Sequence, residues 1–288
     1  MPFSGTALRL TFDNYCGTEP ITLTRTTAFH GGEFYPVFFG GERSVTIGAG
    51  ESAVSDPLEL SITAGEMVQV SFYLGDFTLM RSVVYTCGPL SGGLYANGDE
   101  TETAHISVET SRPTNLNYFL SNVSVLTERE NRTIVCYGDS ITAQDWPDYL
   151  SLRCFREGYD HTAVIRRATS GSRILREYSC LTYESYGLSG EHRFHHEVPT
   201  DGADTVIIQQ GINDIIHPVG ARNNVFRPMK DLPTVRELID GCIDFDKALR
   251  DPENPDFFLP EYDSGDHLHP SKRGYERMAM EIPAELLK

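Results

Sequence analysis

The fold of this chain is decided by residues 133–142, which read TIVCYGDSIT. The first five residues form a short, mostly apolar run, which is typical of a buried strand in a parallel sheet. Glycine, aspartate and serine follow at once, and these residue types form turns. A hydroxyl just beyond such a strand and just before a helical region is exposed at the carboxyl edge of the sheet. Ser140 is therefore a candidate nucleophile.

The residues downstream alternate short apolar runs with helical segments, which predicts an α/β domain. Further strands are predicted at residues 163–167 and 205–208. A helix is predicted to begin at Trp146, where a proline follows, and to end at Gly158, because proline suits a first helical turn and glycine stops a helix. Ser271 is predicted to cap a final amphipathic helix.

Upstream of residue 130 the apolar side chains alternate, and this period of two predicts half-buried strands. Glycine- and asparagine-rich turn signals separate the alternating sets. These sets are Leu8, Leu10 and Phe12; Leu58, Leu60 and Ile62; Val68, Val70, Phe72 and Leu74; and Val123 and Val125. The pattern predicts a jelly-roll-like β-sandwich domain over residues 1–130, followed by the α/β domain over residues 131–288.

The composition of the chain limits the classes of molecule that it is expected to bind. The 288 residues include 41 acidic and 24 basic residues, giving a formal net charge of −17. A field of that sign repels nucleic acid and anionic membrane surfaces, and a small neutral or cationic substrate fits it better. The acidity is explained at least as well by surface solubility alone. No apolar run is long enough to span a membrane and no signal peptide is evident, which predicts a cytoplasmic protein. The six cysteines are widely spaced and are expected to be free thiols. The oligomeric state stays open.

A second motif lies near the carboxyl end and reads Asp266-His267-Leu268-His269-Pro270. A serine nucleophile needs an imidazole that accepts its proton and a carboxylate that fixes the tautomer of that imidazole. An aspartate three residues before a histidine on one loop supplies both groups. Taken alone, the motif is better explained as a surface turn after Ser264-Gly265 that happens to contain histidines.

A third motif, Gly211-Ile212-Asn213-Asp214, directly follows the strand predicted at residues 205–208. A side-chain amide at a strand end can donate to the negative oxygen of a tetrahedral intermediate. Gly171, at the end of the strand predicted at residues 163–167, would add a backbone donor. Its alternative role is a turn that requires a positive φ.

Four segments together resemble the four sequence blocks of the SGNH/GDSL hydrolases, in the order of that family. They are Gly138-Asp139-Ser140-Ile141-Thr142, Gly171, Gly211-Ile212-Asn213-Asp214 and Asp266-His267-Leu268-His269-Pro270. The resemblance spans roughly residues 133–283 and implies a flavodoxin-like parallel sheet flanked by helices. It implies Ser140 as nucleophile, His269 as general base and Asp266 as its partner. The oxyanion hole would then consist of the Ser140 amide, the Gly171 amide and the Asn213 side chain, with Asp139 closing the turn.

Residues 245–252 and 263–266, together with residues 10–14 and 17–20, are similar to a subgroup of SGNH proteins that carry an amino-terminal β-domain. Members of that subgroup are described as esterases of acylated carbohydrates or small acyl esters. The resemblance thus implies a serine esterase that hydrolyses acyl, chiefly acetyl, esters of carbohydrates or small alcohols. Such chemistry needs no metal and no organic cofactor.

The chain departs from this family between Asn213 and Asp266. Only one short helix, at residues 234–240, and one strand, at residues 242–245, are predicted there, so one βα unit of the family pattern is missing. A sheet with one strand fewer leaves open a weak or inactive enzyme that acts as a carbohydrate-binding module. Acyl transfer to an acceptor other than water is equally open, because it uses the same acyl-enzyme.

Other readings of single features are weaker. The chain has no Gly-x-Ser-x-Gly elbow of an α/β-hydrolase, no phosphate-binding loop and no His-Glu-x-x-His zinc motif. The histidine cluster at residues 192–196 is interpreted as a solvated helix face, and His217 as a candidate pocket residue. Several aromatic residues could stack on sugars if exposed, but they are interpreted as sandwich core. They are Phe29, Phe34, Tyr35, Phe38 and Phe39.

Overall fold

The protein is a mixed α/β molecule with several sheets and helices. A computed structural model describes residues 1–90, 92–128, 130–174, 188–198, 202–216 and 243–288. The chain divides into two compact units, Met1–Arg132 and Thr133–Lys288. Within the described ranges, no helix is long and apolar enough to cross a membrane.

The first unit is built from short strands. They are β1 (Ala7–Asp13), β2 (Ile21–Leu23), β3 (Arg25–His30), β4 (Glu33–Pro36), β5 (Val45–Ile47), β6 (Ser52–Val54), β7 (Gln69–Tyr73), β8 (Val83–Tyr85), β9 (Gly93–Ala96), β10 (Ser111–Thr114), β11 (Leu116–Tyr118) and β12 (Leu120–Leu126). Two three-stranded sheets have the orders β12-β1-β6 and β4-β3-β7. Two-stranded pairs join β2 with β5, β8 with β11, and β9 with β10. The strand pairs of these sheets are antiparallel.

Strand β1 shows why the alternating sequence folds in this way. Leu8, Leu10 and Phe12 are buried while Arg9 is exposed, so every second side chain enters the core of this unit. Phe12 meets the ring of Phe72 edge-on, at 5.6 Å between ring centroids. The strand predicted from this alternation is confirmed.

The strand predicted at residues 58–62 is wrong. Leu58 and Ile62 make only isolated bridges, to Leu8 and Gly5, although both side chains are buried as the alternation requires. The reason lies in the register, because the four steps from Leu58 to Ile62 oppose only three steps on the facing strand. The extra residue prevents a continuous ladder between the two bridges.

The aromatic stretch of this unit is divided between core and surface. Phe39 belongs to the core and Tyr35 packs against it. Phe29 and Phe34 pair across β3 and β4, with 4.7 Å between ring centroids. Phe38 is more exposed, and the guanidinium of Arg43 lies 5.4 Å from its ring centroid. The interpretation as core therefore holds for Phe39 and for the packed Tyr35.

The second unit alternates strands and helices. They are β13 (Arg132–Gly138), α1 (Ser140–Ala143), α2 (Trp146–Glu157), β14 (Thr162–Ala168), α3 (Gly190–Glu197), β15 (Thr205–Gln209), α4 (Ile212–Ile216), α5 (Phe245–Leu249), α6 (Lys272–Glu281) and a 3-10 helix (Ala284–Leu287). The sheet order is β14-β13-β15, and β13 runs parallel to β15 from the pair Ile134–Thr205 to the pair Gly138–Gln209. Residues 134–138 of the central strand are buried, which explains their continuous apolar run.

The helix boundaries follow local chemistry. Helix α2 begins at Trp146 and is capped by Gly158 at φ 78°, whose amide donates to the carbonyl of Cys154. The hydroxyl of Ser271 caps α6 by accepting the amide of Gly274 at 3.3 Å. Both predicted caps are confirmed, because glycine tolerates the left-handed conformation and serine satisfies a free helical amide.

The strand predicted at residues 242–245 is wrong where the structure describes it. Phe245 begins α5, because the side chain of Asp244 accepts the amide of Lys247 at 2.9 Å and caps the helix. The helix predicted at residues 234–240 and His217 lie outside the described residues. The predicted loss of a βα unit therefore stays a prediction.

Candidate active site

The nucleophile candidate lies where the central strand of the second unit ends. Asp139 is the N-cap of α1 and accepts the amide of Ile141 at 3.1 Å, so Ser140 becomes the first helical residue. Gly138 has no room for a side chain, because a Cβ there would lie 2.2 Å from the carbonyl oxygen of Gln209. The Gly-Asp-Ser turn is thus required by close packing and by capping as well as by chemistry.

Ser140, His269 and Asp266 form one continuous hydrogen-bonded chain. The Ser140 Oγ lies 2.9 Å from the His269 Nε2. The His269 Nδ1 lies 2.7 Å from the Asp266 Oδ2. A carboxylate at Nδ1 favours the tautomer with its proton there, which leaves the lone pair of Nε2 directed at the serine hydroxyl. The structure therefore brings together the three residues that the sequence predicts as a triad.

Asp266 is kept ionised by its surroundings. Burial alone would raise its pKa, but the hydrogen bonds it accepts from the amide and ring of His269 outweigh that effect. The amide of Leu268 and the hydroxyl of Ser264 add two further donors. The pKa of Asp266 therefore lies well below the ordinary value of 3.8, and its charge is available to stabilise an imidazolium at neutral pH.

The loop that carries Asp266 and His269 is closed on itself. The carboxylate of Asp263 accepts the amides of Gly265 at 2.8 Å and of His267 at 3.1 Å. The backbone of Asp263 forms an isolated antiparallel β-bridge with that of Pro270. The amide of Ser264 donates to the carbonyl of His269 at 3.1 Å. His267 is held at φ 58°, a conformation that a residue other than glycine rarely adopts. We name residues 263–270 the acid-base loop.

The candidate oxyanion donors come from all three strand ends. Gly171, at φ 78°, lies in the turn after β14, and the amide of Thr169 in that turn donates to the carbonyl of Gly138 at 3.1 Å. Asn213 is 5% exposed, and its Nδ2 donates to the carbonyl of Ser172 at 3.1 Å. One N–H of Asn213 is thus engaged and its second N–H is left for another acceptor.

The links between these donors and the nucleophile are indirect. Among the described residues, the backbone amides of Ser140 and Gly171 have no hydrogen-bond acceptor. No hydrogen bond in those parts of the chain joins Gly171 or Asn213 to Ser140 itself. The connection runs through Gly138, which precedes the nucleophile by two residues and accepts the amide of Thr169.

Asp139 is fully buried beside the nucleophile. Burial is the main cause that raises its pKa to about 6, and the nearby Asp214 adds to the rise, while the amide of Ile141, His269 and Arg193 oppose it. Its Oδ1 caps α1, while its Oδ2 has no hydrogen-bond partner. The sequence resemblance assigns this residue only the closing of the turn, so its titration is a property that the sequence does not reveal.

Two further buried residues were not predicted. Arg193, on α3, is 2% exposed, and Ser172 is fully buried beside Gly171. Arg193 lies inside the histidine cluster interpreted as a solvated helix face. His192, His195 and His196 are indeed exposed, so the interpretation holds for them. The available signal for Arg193 is Glu197 four residues later on the same helix, an ion pair that can accompany a buried arginine.

Among the described residues, no three or more histidine, cysteine, aspartate and glutamate side chains are arranged to hold a metal ion. The four described cysteines form no disulfide with one another; they are Cys16, Cys87, Cys136 and Cys154. A hydroxyl, an imidazole and a carboxylate in series, with amide donors at neighbouring strand ends, are the groups that acyl transfer through serine requires.

No protein-family model matches the chain, and no curated protein is significantly similar to it. Among solved structures, an active-site mutant of a family two carbohydrate esterase from Clostridium thermocellum superposes with a TM-score of 0.32 at 15% identity, over 99% of this chain and 91% of the other. A family two carbohydrate esterase from the same organism in complex with cellohexaose gives 0.31 at 15% identity, over 99% and 89%. A carbohydrate esterase family 2 enzyme with a carbohydrate-binding domain from Corynascus thermopiles gives 0.25 at 18% identity, over 82% and 67%. At these TM-scores the superpositions decide neither fold nor activity, and the function rests on the geometry of the site.

Proposed function

We propose that the protein is a serine ester hydrolase of the SGNH kind, with Ser140 as its nucleophile. The observation that carries the proposal is the unbroken hydrogen-bonded chain from the Ser140 Oγ through His269 to Asp266, with separations of 2.9 and 2.7 Å. Two residues meet at such distances across 129 positions of sequence only if the fold brings their segments together. This chain of contacts favours an active enzyme over an inert binding module.

The mechanism follows from these contacts. The His269 Nε2 accepts the proton of Ser140 as the oxygen attacks the ester carbonyl, and Asp266 stabilises the resulting imidazolium. The negative oxygen of the tetrahedral intermediate accepts hydrogen bonds from the amides of Ser140 and Gly171 and from the second N–H of Asn213. His269 then protonates the departing alcohol. Water, activated by the same imidazole, hydrolyses the acyl-enzyme and restores the serine.

The proposed substrates are acyl esters, chiefly acetyl esters, of carbohydrates or small alcohols. Support comes from the similarity of residues 245–252 and 263–266 to the SGNH subgroup described above, and from the net charge of −17, which suits a neutral or cationic substrate better than an anionic one. No metal or organic cofactor takes part in the proposed steps, since side chains and backbone amides perform each of them.

The proposal includes an assignment of the fold. The second unit is proposed to have the flavodoxin-like arrangement of SGNH hydrolases, over residues 131–288, preceded by a jelly-roll-like β-sandwich over residues 1–130. The strand order β14-β13-β15 with parallel β13 and β15 supports the first part. The short antiparallel strands of the first unit support the second part.

The test compares the wild type with Ser140→Ala on a chromogenic acetyl ester. Ser151→Ala, a matched change on α2, serves as the control and should keep the wild-type rate. We expect Ser140→Ala to lose turnover by several orders of magnitude and to lose labelling by a serine-directed fluorophosphonate. Equal rates for the wild type and Ser140→Ala would refute the proposal and favour the carbohydrate-binding module. Supplying an acetylated sugar as substrate and a second alcohol as acceptor would separate hydrolysis, which releases acetate, from acyl transfer, which forms a new ester.

A further inference from the structure

A buried arginine lies behind the strand ends that carry the proposed oxyanion donors. The side chain of Arg193 is 3% exposed. An arginine so far from water must have its charge compensated by the protein, and most of its donors must find acceptors there; the Nε of Arg193 has no acceptor among the described residues. Glu197, one turn later on α3, pairs with one of its terminal nitrogens, and the ring of Tyr137 lies 5.1 Å from the guanidinium carbon.

The other terminal nitrogen of Arg193 faces the active site. Its Nη2 donates to the hydroxyl of Ser172 at 3.1 Å and to the carbonyl of Gly138 at 3.4 Å. Gly138 ends β13, two residues before the nucleophile, and Ser172 directly follows Gly171. One planar guanidinium therefore connects the end of the central strand to the turn after β14.

Ser172 extends this connection to the third strand. Its hydroxyl also accepts the Nε2 of Gln210 at 3.1 Å, and its carbonyl accepts the Nδ2 of Asn213 at 3.1 Å. Gln210 and Asn213 both follow β15. The three proposed oxyanion donors are thus all linked to Arg193. Ser140 lies two residues after Gly138, and Gly171 directly precedes Ser172. The side chain of Asn213 donates to the carbonyl of Ser172.

The helix that carries Arg193 is anchored to the same strand ends. The hydroxyl of Tyr137 donates to the carbonyl of Gly190, the first residue of α3. The amides of Gly190 and Glu191 donate to the carbonyls of Arg173 and Ile174 at 2.6 and 2.9 Å. The helix therefore cannot shift without moving the turn that contains Gly171 and Ser172, and the guanidinium is held where its donors converge.

We propose that Arg193 is a positioning residue that, through Ser172 and the carbonyl of Gly138, holds the three oxyanion donors in register, an inference that rests on the proposed function. Donors aimed in advance at the developing negative oxygen stabilise the transition state more than the bound substrate. Loss of their alignment lowers kcat and leaves KM nearly unchanged. A role limited to stability would lower the folded fraction and leave the rate of each folded site intact.

The chain offers a matched control in Arg153. This arginine is also buried and also pairs with a glutamate four residues later on its own helix. It donates to carbonyls at the end of the last helix, those of Ala279 at 3.1 Å, Met280 at 3.3 Å and Ile282 at 2.7 Å. Replacing either arginine with lysine keeps the charge and removes the fork of donors.

The experiment measures kcat and KM on an acetyl ester, normalised to the Ser140 sites that react with a fluorophosphonate. Arg193→Lys is expected to lower kcat by about 10- to 100-fold with KM within about threefold, because the ammonium cannot bridge two acceptors while pairing with the glutamate. Ser172→Ala is expected to do the same. The kcat of the double variant should lie only slightly below that of the more impaired single variant, because both changes break the same hydrogen-bond network. Arg153→Lys should lower the melting temperature without changing kcat per site.

A tetrahedral inhibitor gives a second readout. The affinity for an alkyl boronic acid, which forms a tetrahedral adduct with serine, should fall in parallel with kcat/KM in the Arg193 and Ser172 variants. Wild-type kcat per site in both variants would overturn the inference, and so would a change confined to KM. If Arg193→Lys fails to fold, Ser172→Ala decides the question. A wild type that neither hydrolyses esters nor reacts with the fluorophosphonate refutes the proposed function itself.

Discussion

Replacing Asp139 with asparagine is expected to remove a pH-dependent loss of stability from the second unit. The carboxyl is fully buried and its pKa is raised from 3.8 to about 6, chiefly by burial. A group whose folded pKa is raised contributes stability that is present in full below its unfolded pKa and is lost as the pH rises through its folded pKa. Asparagine keeps the side-chain oxygen that caps α1 and has no such titration.

The magnitude follows from the size of the shift. A rise from 3.8 to about 6 corresponds to about 3 kcal/mol. The free energy of unfolding of the wild type, relative to Asp139→Asn, should therefore fall by about 3 kcal/mol between about pH 4 and about pH 8. For a unit of this size such a change corresponds to a relative shift in melting temperature of about 6 to 12 °C.

Urea denaturation of both proteins at several pH values, followed by circular dichroism, measures this difference. Asp99→Asn provides a contrast of opposite sign. Burial alone would raise the pKa of Asp99, but hydrogen bonds from Thr101 and the charge of Arg25 lower it overall, so the stability it contributes is present above its ordinary pKa and is lost as the pH falls. Parallel curves for the wild type and Asp139→Asn across the whole range would refute the buried, titrating carboxyl.

Three further outcomes are expected. Asp266→Asn should lower kcat by up to about 10⁴-fold, measured with an acetyl ester, because the amide cannot hold the imidazole of His269 in the required tautomer; a loss below tenfold would contradict this role. Leu150→Ala should destabilise the second unit by about 2 to 5 kcal/mol in urea, since its side chain is fully buried in the core between α2 and α6, and a cost under 1 kcal/mol would be inconsistent with that burial. Gly158→Ala should cost about 1 kcal/mol, because φ is 78° there while a Cβ would meet no atom within 4 Å; an unchanged melting temperature would argue against the left-handed cap.

The features that could be predicted from the sequence depend on short-range chemistry. The strand ending before Ser140 and the caps at Gly158 and Ser271 were predictable because an apolar run, a left-handed glycine and a serine cap leave direct marks in the sequence. The grouping of Ser140 with Asp266 and His269 was predictable for a different reason. Serine chemistry requires those partners, and the motifs that carry them occur together with two further motifs in the order described above.

The features that escaped prediction depend on contacts between distant segments. The strand expected at residues 58–62 fails because this segment has one residue more than the strand it faces between its two bridges, and an alternating pattern contains no trace of that shift. Arg193 escaped because an arginine among exposed histidines looks solvated until the acceptors of Gly138 and Ser172 are seen. The raised pKa of Asp139 depends in the same way on burial, which its turn-forming neighbours do not signal.

The acid-base loop has a consequence for how this site can fail. Four of its amides, those of Gly265, His267, Leu268 and His269, donate to its own carboxylates, so its internal shape is held by contacts within the loop. A substitution that distorts a strand of the sheet would therefore displace His269 and Asp266 together and would leave the hydrogen bond between them intact. The downfield nuclear magnetic resonance signal of the His269 Nδ1 proton, which is hydrogen-bonded to Asp266, should then persist in strand variants that have lost all turnover.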